Sequence, residues 1–218
     1  MMMNPCLTRF LVCLLLAGWL LPGCVRLGQR APEKSSYVFS AERLATAPKA
    51  ISPGVLQISP LRISPRFASR SFVYRHGTTR YQSDFYHVFL VSPASLVQEE
   101  VVRWLAASGI FSVVSTSAGP LPPDFLLQGH ISELYGDFRA GQSAAILEIT
   151  FILLDRRSDK NILLNRGYRS QIPLAKATPE ALIIAWNAAL AHILSDLEED
   201  LGTVVTLLAE PGKEPSLP

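Results

Sequence analysis

The residues of this chain that could bind a metal or catalyse hydrolysis are few and widely separated. Zinc sites require clustered histidine, cysteine or carboxylate ligands, and acid–base catalysis requires groups that meet at one point. No two histidines stand at a ligand spacing on one element, and all three cysteines lie within the first 24 residues. The sequence therefore predicts neither a metal site nor a cofactor. The histidines are His76, His87, His130 and His192, and the cysteines are Cys6, Cys13 and Cys24.

The acidic residues give no stronger indication of catalysis. Glu133 and Asp137 are four apart on a predicted strand, where this spacing does not pair two carboxylates, and we expect both to be solvated edge residues. The chain has no Gly-x-Ser-x-Gly motif, no phosphate-binding glycine-rich loop and no Walker motif. We therefore predict that the protein is not an enzyme. An envelope hydrolase stays as a less favoured alternative, which would need a nucleophile and a base in contact, for instance a serine near His130.

One cysteine stands where covalent modification is expected. A short start carrying only Arg9 is followed by the apolar stretch Phe10 to Leu21 and by the helix-breaking pair Pro22-Gly23, and these are the three parts of a secretory signal. Leu21-Pro22-Gly23-Cys24 resembles the bacterial lipobox, although Pro22 replaces the usual small residue. The resemblance implies diacylglycerol on the Cys24 thiol, cleavage before Cys24 and acylation of the new amine. The alternatives are an uncleaved short anchor or a plain signal cut elsewhere.

Acylation would decide how the chain is held at a membrane. A spanning helix needs about 20 apolar residues, and neither Phe10 to Leu21 nor any run after residue 24 reaches that length in the sequence. Two or more acyl chains hold a protein stably without a span. By resemblance to enterobacterial sorting, in which Asp after the cysteine retains the protein in the inner membrane, Val25 favours the periplasmic face of the outer membrane. Retention in the inner membrane stays an alternative.

The composition argues against nucleic acid as a partner and for an ordinary apolar core. The chain has 20 basic and 18 acidic residues, and removing residues 1–23, which contain only Arg9, leaves 19 and 18, a net charge of +1. A nearly neutral chain with no long basic run lacks the positive patch that nucleic-acid binding requires. The mature chain would have no thiol free for a disulfide, so hydrophobic burial must stabilise it.

The order of turn-forming and apolar segments predicts four regions. Residues 26–50 contain Pro32, Pro48 and many small or polar residues, which predicts a tether with at most one short strand near Tyr37-Val38-Phe39. We divide the chain into a signal peptide (1–23), a lipid anchor and tether (24–50), an α/β domain (51–208) and a flexible tail (209–218).

Within the domain, the sequence pattern predicts strands and two amphipathic helices. Aromatic and β-branched residues flank a short polar turn between Arg75 and Arg80, which predicts a hairpin, and a second long hairpin is predicted over residues 144–172. Ser92-Pro93 and Thr178-Pro179 are helix starts, with the side chains of Ser92 and Thr178 as caps. The predicted fold class is α/β: a single domain with a mixed, antiparallel-rich sheet and both helices packed on one face.

The order of these motifs resembles one protein family, the ABC-type transport auxiliary lipoproteins. The resemblance covers roughly residues 37 to 202, from the hairpin through the proline-led helix to the alanine-rich last helix. It departs from the commoner pattern in having Phe89-Leu90-Val91-Ser92 where a tryptophan usually precedes the helix-leading proline. The motif residues that carry over, with a structural role as the expected one, are Tyr74, Arg75, Tyr81, Pro93 and Trp104.

The resemblance implies a non-enzymatic periplasmic subunit of a transport system. Its expected partners are an MCE-domain substrate-binding protein and an ABC permease and ATPase, in a system that moves phospholipid or related lipids between the two membranes. The outer membrane would be contacted through the acyl chains of Cys24. A second hypothesis is a lipoprotein that holds lipid in an apolar pocket of its own.

Overall fold

The computed structural model describes residues 33–43, 52–116, 122–139, 143–157 and 162–209. Within them the chain forms nine strands, a 3₁₀ turn at Pro65–Phe67 and two helices, α1 (Pro93–Ser108) and α2 (Pro179–Ala209). The strands are β1 (Ser35–Tyr37), β2 (Ser52–Ile58), β3 (Arg62–Ile63), β4 (Ser71–Arg75), β5 (Tyr81–Phe89), β6 (Phe111–Ser115), β7 (Phe125–Asp137), β8 (Ala144–Asp155) and β9 (Ile162–Pro173).

The long strand β7 organises the sheet. One of its edges pairs antiparallel with β8 along its whole length, and β9 pairs antiparallel with β8 in turn. Its other edge is shared by three shorter strands, because β2, β3 and β4 pair parallel with successive parts of β7. The sheet then continues from β2 to β6 and from β4 through β5 to β1. The predicted hairpins are the pairs β4–β5 and β8–β9.

Both helices lie on the same face of this sheet. Side chains on one face of β8 are fully buried, and α2 packs on β8 and β9 through a broad apolar stripe. The side chain of Gln98 in α1 accepts a hydrogen bond from Leu61 N, and Leu61 lies against Gly129 of β7 on the same face as α2. The predicted α/β fold with a mixed sheet and two helices is confirmed.

The helix boundaries follow local chemistry, with one exception. Gly109 ends α1 in the left-handed conformation with φ of 69°, where a side chain would be strained. Thr178 Oγ1 accepts a hydrogen bond from Ala181 N at 3.2 Å, as expected for a cap of α2. The expectation for Ser92 was wrong, because its side chain makes no capping hydrogen bond. Pro93 still favours the start of α1, because proline at the first helical position leaves no free N–H there and its φ is already helical.

Part of the predicted tether belongs to the folded unit, which begins at Lys34. Strand β1 comes earlier than expected, at Ser35–Tyr37, and pairs parallel with β5. Phe39 and Ala41 are buried in the core, and Phe39 stacks on Phe89 at 5.4 Å. Hydrophobic burial therefore overrides the loop-like composition of residues 34–43. The predicted signal peptide, the rest of the tether and the tail from residue 210 lie outside the described residues.

Helix α2 also corrects an expectation about membrane spans. By length and composition alone Pro179–Leu208 could cross a bilayer, with a mean hydropathy of 1.2. Half of its most apolar 18-residue window is buried inside the fold, where Trp186 and Leu190 are fully enclosed. These buried residues belong to the core of the domain, which accounts for much of the apolar character of α2.

We expect Gly54→Ala to destabilise the domain by about 1–3 kcal/mol, because an overpacked core must shift to admit the added methyl group. The new Cβ would lie 2.6 Å from Cε2 of Phe125, whose ring is buried. Urea unfolding followed by circular dichroism measures the change. Gly167→Ala is the matched control, since its Cβ would meet only Thr150 Oγ1 at 3.6 Å, and its effect should stay within about 0.5 kcal/mol. Equal losses in the two variants would contradict the steric explanation.

Candidate functional site

The β4–β5 hairpin brings together three of the five motif residues. Arg75 pairs with Tyr81 across the hairpin, and Tyr74 pairs with Gln82. Because successive strand residues point to opposite faces, Tyr74 and Arg75 build two separate clusters. Tyr74 lies on the helix-bearing face, and Arg75 and Tyr81 lie on the face away from the helices.

The arginine cluster consists of Arg75, Tyr81 and Tyr135. Arg75 Nη1 donates to the Tyr135 hydroxyl at 3.2 Å, and its other nitrogens donate to the carbonyls of Gly77 and Thr78. The guanidinium lies 5.8 Å and 5.9 Å from the centroids of the Tyr81 and Tyr135 rings, within cation–π range. Arg75 therefore closes its own hairpin loop rather than pairing with a carboxylate, which supports a structural role for this motif residue.

The carboxylate cluster consists of Tyr74, Asp84 and His87. The Tyr74 hydroxyl donates to Asp84 Oδ2 at 2.6 Å, and His87 Nδ1 lies 2.7 Å from the same oxygen. Asp84 Oδ1 accepts the backbone N–H groups of Tyr86 at 2.8 Å and His87 at 3.1 Å. The Asp84 carboxylate thus meets four polar groups, three of them on Tyr86 and His87 in the same turn and the fourth on Tyr74 of the neighbouring strand.

In this cluster the pKa of Tyr74 is raised and the pKa of Asp84 is lowered, each for an identifiable reason. Burial raises the pKa of the Tyr74 hydroxyl, and its hydrogen bond to the Asp84 carboxylate raises it further. Burial alone would raise the pKa of Asp84, but the hydrogen bonds from Tyr74, Tyr86 and His87 outweigh it and lower the pKa below its usual value. Asp84 therefore stays ionised and Tyr74 stays protonated at neutral pH, which is the arrangement of a structural hydrogen bond.

A second tyrosine ties β1 to α2 beside this cluster. The Tyr37 hydroxyl donates to Glu180 Oε1 at 2.9 Å, and the Tyr37 ring lies 6.2 Å from the His87 ring. Burial raises the pKa of Tyr37, and the hydrogen bond to Glu180 adds to it. Glu180 lies in the first turn of α2, where a carboxylate also interacts favourably with the helix dipole.

Pro93 and Trp104 lie in α1, where Pro93 occupies the first turn and Trp104 points towards α2. Trp104 is buried, and its Nε1 donates to Glu198 Oε2 at 2.7 Å. Arg43 forms an ion pair with the other oxygen of Glu198 at 2.8 Å. Trp104 therefore links α1, α2 and the segment before β2 through one buried carboxylate.

Two further carboxylates differ from the expectation of solvated edge groups. Asp137 is buried and pairs with Arg139 at 2.6 Å, and this bond lowers the pKa of Asp137. Glu133 is only partly exposed and lies 3.2 Å from Arg169. Each acid has its own arginine, so the two do not form a catalytic pair.

The described part of the chain allows two sequence expectations to be examined, a serine near His130 and a cluster of metal ligands. The shallow groove beside His130 is lined by Arg62, Gln128, Gly129, Thr150 and Ile152, with no serine among them. Within the described ranges, no three His, Cys, Asp or Glu side chains gather as metal ligands. Leu21, Pro22, Gly23 and Cys24 lie outside the described residues, so the lipobox stays a sequence prediction.

Sequence reasoning missed Asp84 and Tyr135 as the partners of the motif residues. For Asp84 a local signal was present, because an aspartate can accept the backbone amides two and three positions on. For Tyr135 no local signal exists, since it reaches Arg75 only through the pairing of β4 with β7.

Comparison with known proteins places these features in a family. A family model described as "ABC-type transport auxiliary lipoprotein component" matches residues 37–198. The fold resembles the crystal structure of protein XCC0632 from Xanthomonas campestris, of the DUF330 family, with a TM-score of 0.70 at 16% identity over 80% of this chain and 99% of that one. It also resembles an uncharacterised protein with a TM-score of 0.59 at 13% identity, over 73% and 99% of the two chains. No curated protein is significantly similar to this chain.

We expect Tyr74→Phe to destabilise the protein by about 1–2 kcal/mol, because it removes a hydrogen bond to a charged and partly buried acceptor. Tyr86→Phe is the matched control, since the structure gives its exposed hydroxyl no hydrogen-bond partner among the described residues. Thermal unfolding of both variants measures the difference. An equal effect of the two substitutions would show that the Tyr74 hydroxyl contributes nothing specific.

The Tyr74→Phe and Tyr86→Phe variants should also differ in how their stability responds to acid. Asp84 has a folded pKa below its unfolded value of about 3.9, so its contribution is present above that pH and is lost as pH falls through the folded pKa. Tyr74→Phe removes one of the hydrogen bonds that lower this pKa. Its stability should therefore fall less steeply between pH 5 and pH 3 than that of Tyr86→Phe, on a scale of roughly a few tenths to 1 kcal/mol.

Proposed function

Because the chain belongs to the ABC-type transport auxiliary lipoprotein component family, we propose that it is the lipid-anchored, non-enzymatic subunit of an MCE-type ABC transport system that moves lipids between the two membranes. The single observation that carries this proposal is the family match over residues 37–198, which spans the whole sequence of elements from the end of β1 to α2. The lipobox residues Leu21 to Cys24 support the membrane anchor.

In this proposal Cys24 carries the acyl chains, at the periplasmic face of the outer membrane, and the domain meets the periplasmic MCE protein of the transporter. The permease and the ATPase supply the energy. The side-chain chemistry agrees with such a role, because the motif residues of the hairpin and of α1 are engaged in hydrogen bonds that hold the fold. A docking subunit needs a rigid surface and no reactive group.

A second candidate is a lipoprotein that holds lipid by itself, and one observation favours it. A groove of about 440 Å³ runs beside the last turns of α2, with Ile110, Val205 and Leu207 among its lining residues. Its volume falls in the range of about 300–1,000 Å³ that is usual for small-molecule sites. The groove is open to solvent along its length and carries polar residues such as Glu199, so it fits an acyl chain less well than an enclosed cavity would.

The anchor is tested by Cys24→Ser in the full-length chain. We expect the wild-type protein to incorporate palmitate and to start at an acylated Cys24 in mass spectrometry, because the thiol is the acceptor of the diacylglycerol. The Cys24→Ser variant should lose the label and the membrane association, and Cys13→Ser, within the signal, should keep both. A mature start other than residue 24, or an unmodified thiol, would contradict the lipoprotein assignment.

The partner and the cargo are tested together by purifying the acylated protein from envelopes under mild detergent. We expect an MCE protein to co-purify, identified by mass spectrometry of the eluate and absent with an unrelated outer-membrane lipoprotein as bait. Lipid extraction of the same eluate separates the two candidates. Stoichiometric lipid on the protein alone, with no MCE protein, would favour a lipoprotein that holds lipid by itself over a docking subunit.

A further inference from the structure

An exposed apolar strip lies along the edge formed by β1 and β5. Its members are large hydrophobic residues with 38% to 74% of their surface exposed, and Phe85 is the most exposed of them at 74%. We call it the edge strip; it consists of Val38, Phe85, Tyr86, Leu90 and Val91. The Phe85 and Tyr86 rings are in contact, and Val38 and Leu90 directly follow Tyr37 and Phe89, which are paired across β1 and β5. Groups of exposed apolar residues mark contact surfaces, whereas single ones are ordinary.

A bulge in the pairing of β4 with β5 keeps part of the edge strip exposed. Between the pairs Ser71↔Val88 and Val73↔Ser83 the register of β4 and β5 shifts, because β5 contains extra residues there. Asp84 closes the resulting bulge by accepting the N–H groups of Tyr86 and His87. The bulge displays Phe85 and Tyr86, whose rings meet edge to face at 5.3 Å.

The chain that follows the proposed anchor enters the folded domain at Lys34, beside the edge strip. Lys34 Nζ lies 5.6 Å from the centroid of the Phe85 ring, and β1 begins at the next residue. Leu90 N donates to Tyr37 O at 2.8 Å, so the far end of the strip also adjoins β1. Lys34 is ten positions after Cys24, and even a fully extended chain of that length reaches no more than about 36 Å.

We propose that the edge strip rests on the lipid bilayer in which the acyl chains of Cys24 are inserted, with Phe85 and Tyr86 at the headgroup boundary. The inference rests on the lipid anchor of the proposed function. Tyr86 has an apolar ring and a polar hydroxyl and so favours the membrane interface, and Phe85 supplies apolar surface that can insert below it. A short connection to the anchor at this edge keeps the strip near that interface. The opposite edge of the sheet, at β9, lies five strand spacings away, or roughly 24 Å.

Contact at this edge would orient the whole domain. The β1–β5 edge would face the lipid, and β8, β9 and the C-terminal half of α2 would face the periplasm, where a partner protein can reach them. The Tyr74–Asp84 hydrogen bond then has a second role besides stabilising the fold, because it holds the bulge that exposes Phe85. Tyr74 is in this sense a positioning residue for the membrane contact.

The test uses the full, acylated protein in vesicles of phosphatidylethanolamine and phosphatidylglycerol that contain nitroxide-labelled lipid. Acylation blocks the thiol of Cys24, so a new cysteine is the only labelling site in the mature chain. A fluorophore at Leu90→Cys reports on the edge strip, and one at Ile162→Cys, an exposed isoleucine on β9, is the matched control. We expect lipid nitroxide to quench the label at 90 at least about two-fold more strongly than the label at 162, since interfacial side chains insert several ångströms below the headgroups.

A second substitution tests the role of Phe85. In the Leu90→Cys background, Phe85→Ser should reduce the quenching towards the level at position 162, and Ile184→Ser, at an equally exposed isoleucine on α2, should leave it unchanged. Both substituted side chains are exposed, so neither change removes a core contact. Unchanged quenching in Phe85→Ser would overturn the assignment of Phe85 as the inserted residue.

The remaining outcomes separate this inference from the proposed function. If the protein floats with the vesicles and the labels at 90 and 162 are quenched equally, the membrane contact is wrong and the anchor stands. If the label at 90 is protected from aqueous iodide but not quenched by lipid nitroxide, a protein covers the strip, and the bilayer is again the wrong occupant. If the acylated chain does not float with the vesicles at all, both the lipid anchor and the membrane contact are wrong.

Discussion

The pairing of β7 is the constraint on which the rest of the structure depends. A 13-residue strand offers more backbone hydrogen-bonding groups than any single short neighbour can satisfy, and buried groups must be satisfied. The long β8 covers one edge, and β2, β3 and β4 divide the other between them. The register of β4 on β7 sets where the hairpin stands, and β5 in turn sets where β1 enters the sheet.

The segment from β1 to Arg43 is held by polar groups of both helices. Ser40 N donates to Asn187 Oδ1 at 3.0 Å, Ala41 N donates to Glu100 Oε2 at 2.7 Å, and Arg43 pairs with Glu198. Glu100 also accepts a hydrogen bond from Arg103. Buried carboxylates are costly unless they are paired, and here each one secures the segment to a helix. If Cys24 holds the domain to a membrane as proposed, any pull on that anchor is transmitted through this segment to α1 and α2.

Three side chains of the family motif hold parts of the fold together. Arg75 closes a loop, Tyr74 positions a bulge, and Trp104 joins the two helices, each through hydrogen bonds in which the polar group is already engaged. In the proposed function, the protein contributes to transport through the place and orientation of its surfaces. The edge beside β1 and the outer surfaces of β9 and α2 are therefore the parts from which its partners should be sought.

Sequence by itself determined most of the elements and several of their ends, because periodicity, proline and glycine act within a few residues. The two hairpins, the start of α1 at Pro93 and the α/β class were all readable in this way. It also identified Cys24 as the candidate acylation site, which the described residues do not include. Tertiary structure alone decided that residues 34–43 join the core, that Tyr135 meets Arg75 and that Phe85 stands exposed. Each of these three features depends on contacts between segments far apart in the chain. The local composition of a segment does not determine which distant strand will pack beside it.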